Sequence, residues 1–443
     1  MIFHQSHRQL LSGNKVIAIN TLSNTNEFTR EIMKAASRIR LQLYSFVFFI
    51  IACCIAVSSF AQTDTTVYKI GLLLPFQSQN TDGKLDEILN AHDLYTANRI
   101  RFEDDALIAL DFYQGLMQAA TEDSDSVRIE LHVYDNWNTD SATSEILKKP
   151  ELKKMDFIIG SVSSSSAKLV ADFCKDNKIM NIQPFTPSKS LTSENPYHLK
   201  IAPTIDAHID NLYQSILDSF PDANIIIYTP KNEKGMYLAE RFDSLFNNYN
   251  TAAETKYHVV MINTTDMIAN GKKVTLGELI SPVKTNILII TSYDEPFVQS
   301  TLRSVYEKNT KDNLVVYGLP TWLGGDILRL DYINNLHTRV SDVFFADTAK
   351  AKTRYFIENF TNRYHADPSK YAYLGYDVLN FLFKSIKTYG KDFVPQLATQ
   401  RYTGAGYKFD IAVNMKDANT INYYENNHVN VLKVEDYRLK RVW

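Results

Sequence analysis

Cysteine is nearly absent from this sequence. Of 443 residues 3 are cysteines, and two of those, Cys53 and Cys54, fall in an apolar block near the start, so the chain beyond Ala61 carries Cys174 alone. One thiol makes no internal disulfide, and the fold must be held by its core, which a chain of this length can supply. Cys174 lies on the apolar side of an expected helix and reads as packing. A basic excess is missing as well: the net charge is -3, which argues against a nucleic-acid partner. The histidines beyond the first stretch stand apart with no pair at ligand spacing, so there is no zinc helix of the HExxH kind. Gly271-Lys272-Lys273 lacks the earlier glycine of a phosphate-binding loop, and no GxSxG elbow occurs. These patterns call for no catalysis, metal or cofactor, and none is expected.

What is present is ordinary for a globular chain: 45% hydrophobic and 22% charged residues, with 12% aromatics that supply large buried areas. The first 61 residues read differently. Tyr44 to Val57 form an apolar block preceded by Lys34, Arg38 and Arg40 and followed by Ser59-Phe60-Ala61. That is the pattern of a secretory signal cleaved after Ala61, with 1–32 as an upstream extension before Met33. The block is short for a membrane span. Ile50-Ile51-Ala52-Cys53 loosely matches a lipoprotein processing box, which would make Cys53 a lipid-anchored terminus instead. The expected location is the periplasm.

The stretch Met155 to Thr192 organises the remainder. A fully apolar run, Phe157 to Ile159, stops at Gly160, passes a serine cluster and continues with Leu169, Val170 and Phe173 at helical spacing. A second run, Ile179 to Ile182, breaks at Pro184 and Pro187. Two strand ends therefore deliver two hydroxyl-rich loops, Ser161 to Ser166 and Thr186 to Ser190, to one edge of a parallel sheet, where open α/β sheets bind ligands. The same serines are also good helix caps.

Along the chain, strand and helix alternate from the strand Tyr68 to Pro75 onward. A polar segment, Gln77 to Arg101, reads as a loop inserted over the sheet edge. After Tyr197 to Pro203, a crossing strand, a second alternating series begins at Ile205 and runs to the strand Leu314 to Tyr317. Ser341 to Ala346 reads as a return strand, Lys370 to Lys387 as a helix restored to the first lobe, and the tail as a hairpin around Lys416 to Asn419 closing the second. The expected fold is α/β with two doubly wound Rossmann-like lobes, a central cleft and a hinge: lobe 1 over 62–202 and 343–395, lobe 2 over 203–342 and 396–443. Second-lobe loops at Thr229 to Gly235, Ser292 to Pro296 and Leu319 to Gly325 would face the cleft.

The order of these pieces resembles the type I periplasmic binding proteins, the leucine/isoleucine/valine-binding and receptor-ligand-binding superfamily. The matching stretches are IGLLLPF, Tyr113-Gln114-Gly115, IELHVYDN, FIIGSVSSSS, QPFTPSKSLT, YHLKIAP, and Tyr371-Ala372-Tyr373 with Tyr376-Asp377. FYQGL and PELKKMDFIIG look most similar to cell-envelope versions that are sometimes fused to peptidoglycan-binding LysM modules. The resemblance implies a non-enzymatic protein that captures a small polar solute, amino-acid-like or cell-wall-derived, between its lobes for an ABC-type transporter or receptor. Ser164 matches the family serine that holds a ligand carboxylate, with Ser161 and Ser163 beside it. Phe185 and Pro187 fall where a small residue and a threonine are expected, which leaves Thr186 and Ser188 as displaced candidates. Tyr293 matches a cleft tyrosine, and Trp322 would pack with it on the ligand body. Asp294 could receive a cation or cap a helix. The family's acidic residue for an α-amino group would lie near Thr321, which has no charge to offer an ammonium. These departures keep an alternative open: a ligand-less envelope scaffold or regulator of peptidoglycan synthesis.

Overall fold

The computed structural model describes residues 16–18, 67–93, 96, 99–122, 127–253, 257–263, 268–269, 272–273, 275–308, 313–322, 328–390 and 393–443. The expected signal block, its cleavage site and Cys53 lie outside them.

The first sheet is built on β1 (Val67–Leu74), β2 (Arg128–Asp135), β3 (Phe157–Gly160), β4 (Met180–Gln183) and β5 (His198–Lys200), all parallel in the order β2-β1-β3-β4-β5. The second repeats that order with β6 (Asn224–Thr229), β7 (His258–Asn263), β8 (Asn286–Ile290), β9 (Leu314–Gly318) and β10 (Arg339–Asp342), running β7-β6-β8-β9-β10. β3 (FIIG) and β8 (NILII) are buried along their whole length, as continuous apolar runs in covered parallel sheets are. The connecting helices are α1 (Ser78–Leu89), α2 (Asp104–Glu122), α3 (Asp140–Leu147), α4 (Ser164–Asn177), α5 (Ile205–Ser219), α6 (Glu233–Ala252), α7 (Glu295–Lys308), α8 (Leu330–Asn335), α9 (Ala351–Tyr364) and α10 (Lys370–Tyr389).

The tail corrects one expectation. β11 (Arg401–Thr403), β12 (Lys408–Met415) and β13 (Ile421–Asn426) complete the first sheet, with β13 parallel to β5, so 401–426 belong with the first lobe. Only β14 (Asn430–Glu435) and β15 (Arg438–Arg441) close the second sheet. Period-two alternation announces a strand but not the edge it joins; here the buried Asn426 side chain donates to Ile201 O at 3.2 Å and fixes the choice. The return strand also differs: β10 stays in the second sheet, and 343–346 is a crossing tied by Phe345 N–H to Gly406 O at 3.0 Å.

A second correction concerns Gln77 to Arg101, whose first half is helix α1. It buries only Ser78 and Thr81, so no apolar period marks it. Its start is held from a distant strand end, where the Asp135 carboxylate accepts from Gln77 N–H at 3.1 Å and Ser78 N–H at 2.8 Å. A third lies upstream: Val16–Ala18, in the stretch expected to stand outside the fold, pairs antiparallel with β2, whose outer edge offers unpaired backbone groups.

The first core centres on α2 and α10. They cross at two glycines: a Cβ on Gly115 would sit 1.8 Å from Ala372 O, and one on Gly375 2.0 Å from Phe112 O. Only hydrogen fits, and the backbones touch. Three segments connect the lobes: 201–204, 343–346 and 427–429.

Candidate functional site

In the first sheet the strand order reverses between β1 and β3, and the predicted loops leave the carboxyl ends beside that reversal. Ser163 caps α4, its Oγ accepting from Ser166 N–H at 3.3 Å. Ser164 is exposed, and its Oγ lies 2.9 Å from Thr186 Oγ1, so the two loops meet hydroxyl to hydroxyl. Gln183 links them from below: its amide donates to Gly160 O at 3.2 Å and Ser161 O at 3.0 Å, and its oxygen accepts from Phe185 N–H at 2.8 Å. Ser188 N–H reaches Thr186 Oγ1 at 3.4 Å. Among the described residues no acid or histidine bonds either hydroxyl of the Ser164–Thr186 pair.

Three expected contacts turn inward. Ser161 is fully buried and accepts from Asn136 Nδ2 at 2.5 Å, and Asn136 also donates to Thr143 Oγ1 at 3.2 Å. Phe185 packs on Phe112, ring centroids 5.0 Å apart. Trp322 is 3% exposed, inside the second core, and donates its indole N–H to Ser292 O at 3.1 Å. The reason lies at Gly318, where an added Cβ would come within 2.2 Å of the indole. The ring fills a slot left by a missing side chain, so it presents no face to a ligand. Asp294 caps α7, accepting from Phe297 N–H at 3.1 Å. Tyr293 and Thr321 are exposed at the second-lobe strand ends. Sequence reasoning missed Asn136 and Asn138, the latter accepting from Ser163 N–H at 3.0 Å; the run Asp135-Asn136-Trp137-Asn138 after a strand was the available signal.

A cavity of about 370 Å³ opens beside the crossings, lined by Thr204 and Asn427 from two of them. The first lobe contributes Lys189 and Glu425 to its wall, and the second contributes Asp206, Asp210 and Arg241. Ala207 is the one aliphatic side chain among the lining residues. Lys189 pairs with Asp206 across the two lobes, Arg241 with Asp210 at 2.7 Å, and Lys200, 1% exposed behind the wall, with Glu425 at 3.0 Å. Burial pulls the Lys200 ammonium below its ordinary range, against the attraction of Glu425. Burial, reinforced by Lys200, pushes His198 down to about 3. No sequence pattern groups these residues, which come from 189–210, Arg241 and Glu425.

Comparison with solved structures yields one architecture repeatedly. A branched-chain amino acid ABC transporter periplasmic ligand-binding protein from Burkholderia xenovorans LB400 matches with a TM-score of 0.55 at 13% identity, covering 85% of this chain and 94% of that one. An ABC transporter substrate-binding protein from Desulfitobacterium hafniense, in complex with Leu, matches with a TM-score of 0.51 at 15% identity, covering 85% and 100%. A substrate-binding protein from Sphaerobacter thermophilus gives 0.52 at 13%, covering 85% and 96%. The fold is that of the type I periplasmic binding proteins. No protein-family profile and no curated sequence matches the chain. Within this periplasmic-binding-protein fold, the hydroxyl lip sits at the strand ends of the first lobe and the charged cavity sits at the crossings.

Proposed function

We propose that this chain is a periplasmic solute-binding protein that captures a small polar ligand between its lobes and delivers it to an ABC-type transporter or receptor. The observation that carries this reading is the polar cavity walled by both lobes beside the three crossings. A guest held by both walls stabilises the closed arrangement, and a hinge of three short segments lets the lobes part to release it. The solved neighbours support the reading by fold and by name, as substrate-binding proteins of transporters. The test is mass spectrometry of small molecules that co-purify with the chain, followed by thermal melting with each. A solute that raises the melting temperature in proportion to its logarithmic concentration supports the reading.

One observation favours a second reading, a ligand-less envelope scaffold. Lys189 and Asp206 bridge the lobes directly, a contact that joins them by protein groups alone. If nothing co-purifies and no metabolite shifts the melt, the scaffold reading takes precedence.

A further inference from the structure

The two sheets end differently at their outer edges. In the first, the border of β2 carries Val16–Ala18 as an added antiparallel strand; in the second, β15 is the last strand, and no strand lies on its outer side among the described residues. β14 and β15 are joined by Asp436-Tyr437, both at positive φ, the backbone of a tight two-residue hairpin turn. In such a hairpin the residues flanking the turn, Glu435 and Arg438, exchange backbone bonds, so by alternation Leu439 and Arg441 turn their N–H and C=O groups outward. A bulky side chain seldom takes a positive φ, and Tyr437 is held there from α8: its N–H donates to Asn334 Oδ1 at 3.2 Å and its hydroxyl to Asp331 Oδ1 at 3.0 Å. The open edge is therefore pinned, which lowers the cost of pairing with it.

Its side chains select what can pair. Residues 433–441 carry four cations, Lys433, Arg438, Lys440 and Arg441, against two acids, Glu435 and Asp436, in a chain whose net charge is -3. Glu435 is shared by Lys433 and Lys440. Arg438 is exposed, and among the described residues neither it nor Arg441, whose guanidinium lies 5.7 Å from the Phe345 ring, has an acid within ion-pair distance. The basic row continues into the first lobe: burial, reinforced by Arg441 and Lys350 and opposed by Asp347, pulls the Lys408 ammonium below its ordinary range. Cations on an edge strand keep two like edges apart, so a second copy is a poor occupant. A lipid surface matches the charge but sets no alternating donors and acceptors at strand spacing; an extended peptide does both.

We infer that the outer edge of β15 is a docking site for an acidic, extended segment of a partner protein, which adds to the second sheet as a further strand and sets its carboxylates against Arg438, Lys440 and Arg441. The site is separate from the interlobe cavity and does not depend on a solute being held there.

The experiment is titration of the chain with labelled peptides of about eight residues that alternate Glu with Val, Thr or Tyr, read by fluorescence anisotropy and amide hydrogen exchange. Beside them stand the same peptides with Lys for Glu, the same with a central Pro, and vesicles of phosphatidylglycerol and phosphatidylcholine. At least one acidic peptide is expected to bind, to slow exchange at Leu439 and Arg441 about tenfold or more, and to weaken with added salt. The Lys and Pro versions are expected not to bind. Arg438→Glu, at an exposed and unpaired position, is expected to fold with an unchanged melt and to weaken the peptide about tenfold or more, whereas Arg303→Glu on α7 leaves it intact. Acidic-peptide binding that leaves exchange at Leu439 and Arg441 unchanged, or that survives Arg438→Glu, overturns the inference. Capture by anionic vesicles alone overturns it in favour of a lipid surface, and failure of every acidic peptide to bind sinks it outright. None of these outcomes bears on solute capture, which co-purification and melting decide separately.

Discussion

Two polar clusters in this molecule, one around Ser161 and one around Glu425, behave in opposite ways. Around Ser161, uncharged groups are buried and matched: Asn136, Thr143 and Gln183 each have partners within hydrogen-bonding distance. Around Glu425 the groups are charged and held in ion pairs, Lys200 with Glu425 at 3.0 Å and Arg241 with Asp210 at 2.7 Å. A satisfied network of neutral groups fixes geometry, whereas buried ion pairs are costly to separate. The first cluster shapes the lip, and in the proposed reading the second is the one that meets the solute.

The sharpest way to break the comparison is Glu425→Gln. It strands the fully buried Lys200 without its anion and is expected to cost about 3–5 kcal/mol, read from urea unfolding. A loss below about 1 kcal/mol would mean that Lys200 reaches water and that the two clusters differ less than the geometry says.

Acid separates them next. His198 and His208 are held near 3 and 4 in the fold, chiefly by burial, against an ordinary value of 6.5. Both are neutral when folded, so below 6.5 the unfolded chain binds the extra protons. Their contribution is fully present above pH 6.5 and is lost as pH falls from there toward the folded values, at about 1.4 kcal/mol per pH unit for each histidine. Urea midpoints at pH 7.5 and 5.5 check this, and equal midpoints would refute it.

Asn136→Ala removes the keystone of the matched cluster and is expected to cost about 1–3 kcal/mol while leaving solute affinity alone. A change in affinity without a change in stability would reverse the roles assigned to the two clusters. The smallest effect belongs to Ser164→Ala, an exposed hydroxyl, expected within about 0.5 kcal/mol of the parent in chemical denaturation.

Much of the architecture could be read from local pattern. Short buried runs ending in glycine or proline located β3 and β4, and hydroxyl-rich turns after them located the Ser164–Thr186 contact. Residues whose role depends on distant partners were not legible. Trp322 reads as an exposed cleft aromatic until Gly318 is seen to leave it a slot. Helix α1 carries no apolar period because it buries only Ser78 and Thr81, and its start is held by the distant Asp135. Lys189, Asp206, Arg241 and Glu425 converge only after both sheets exist, and nothing in their neighbourhoods marks them as a group.

The touching backbones at Gly115 and Gly375, and the seating of β13 beside β5, also set an assembly schedule. The first lobe draws its closing pieces from the far end of the chain, while most of the second lobe is encoded between them. A chain emerging amino end first carries a half-built sheet with the β5 border bare until Ile421–Asn426 is made. Its opening third has to wait for its closing stretch, and during that interval a neighbouring nascent chain is the nearest substitute strand.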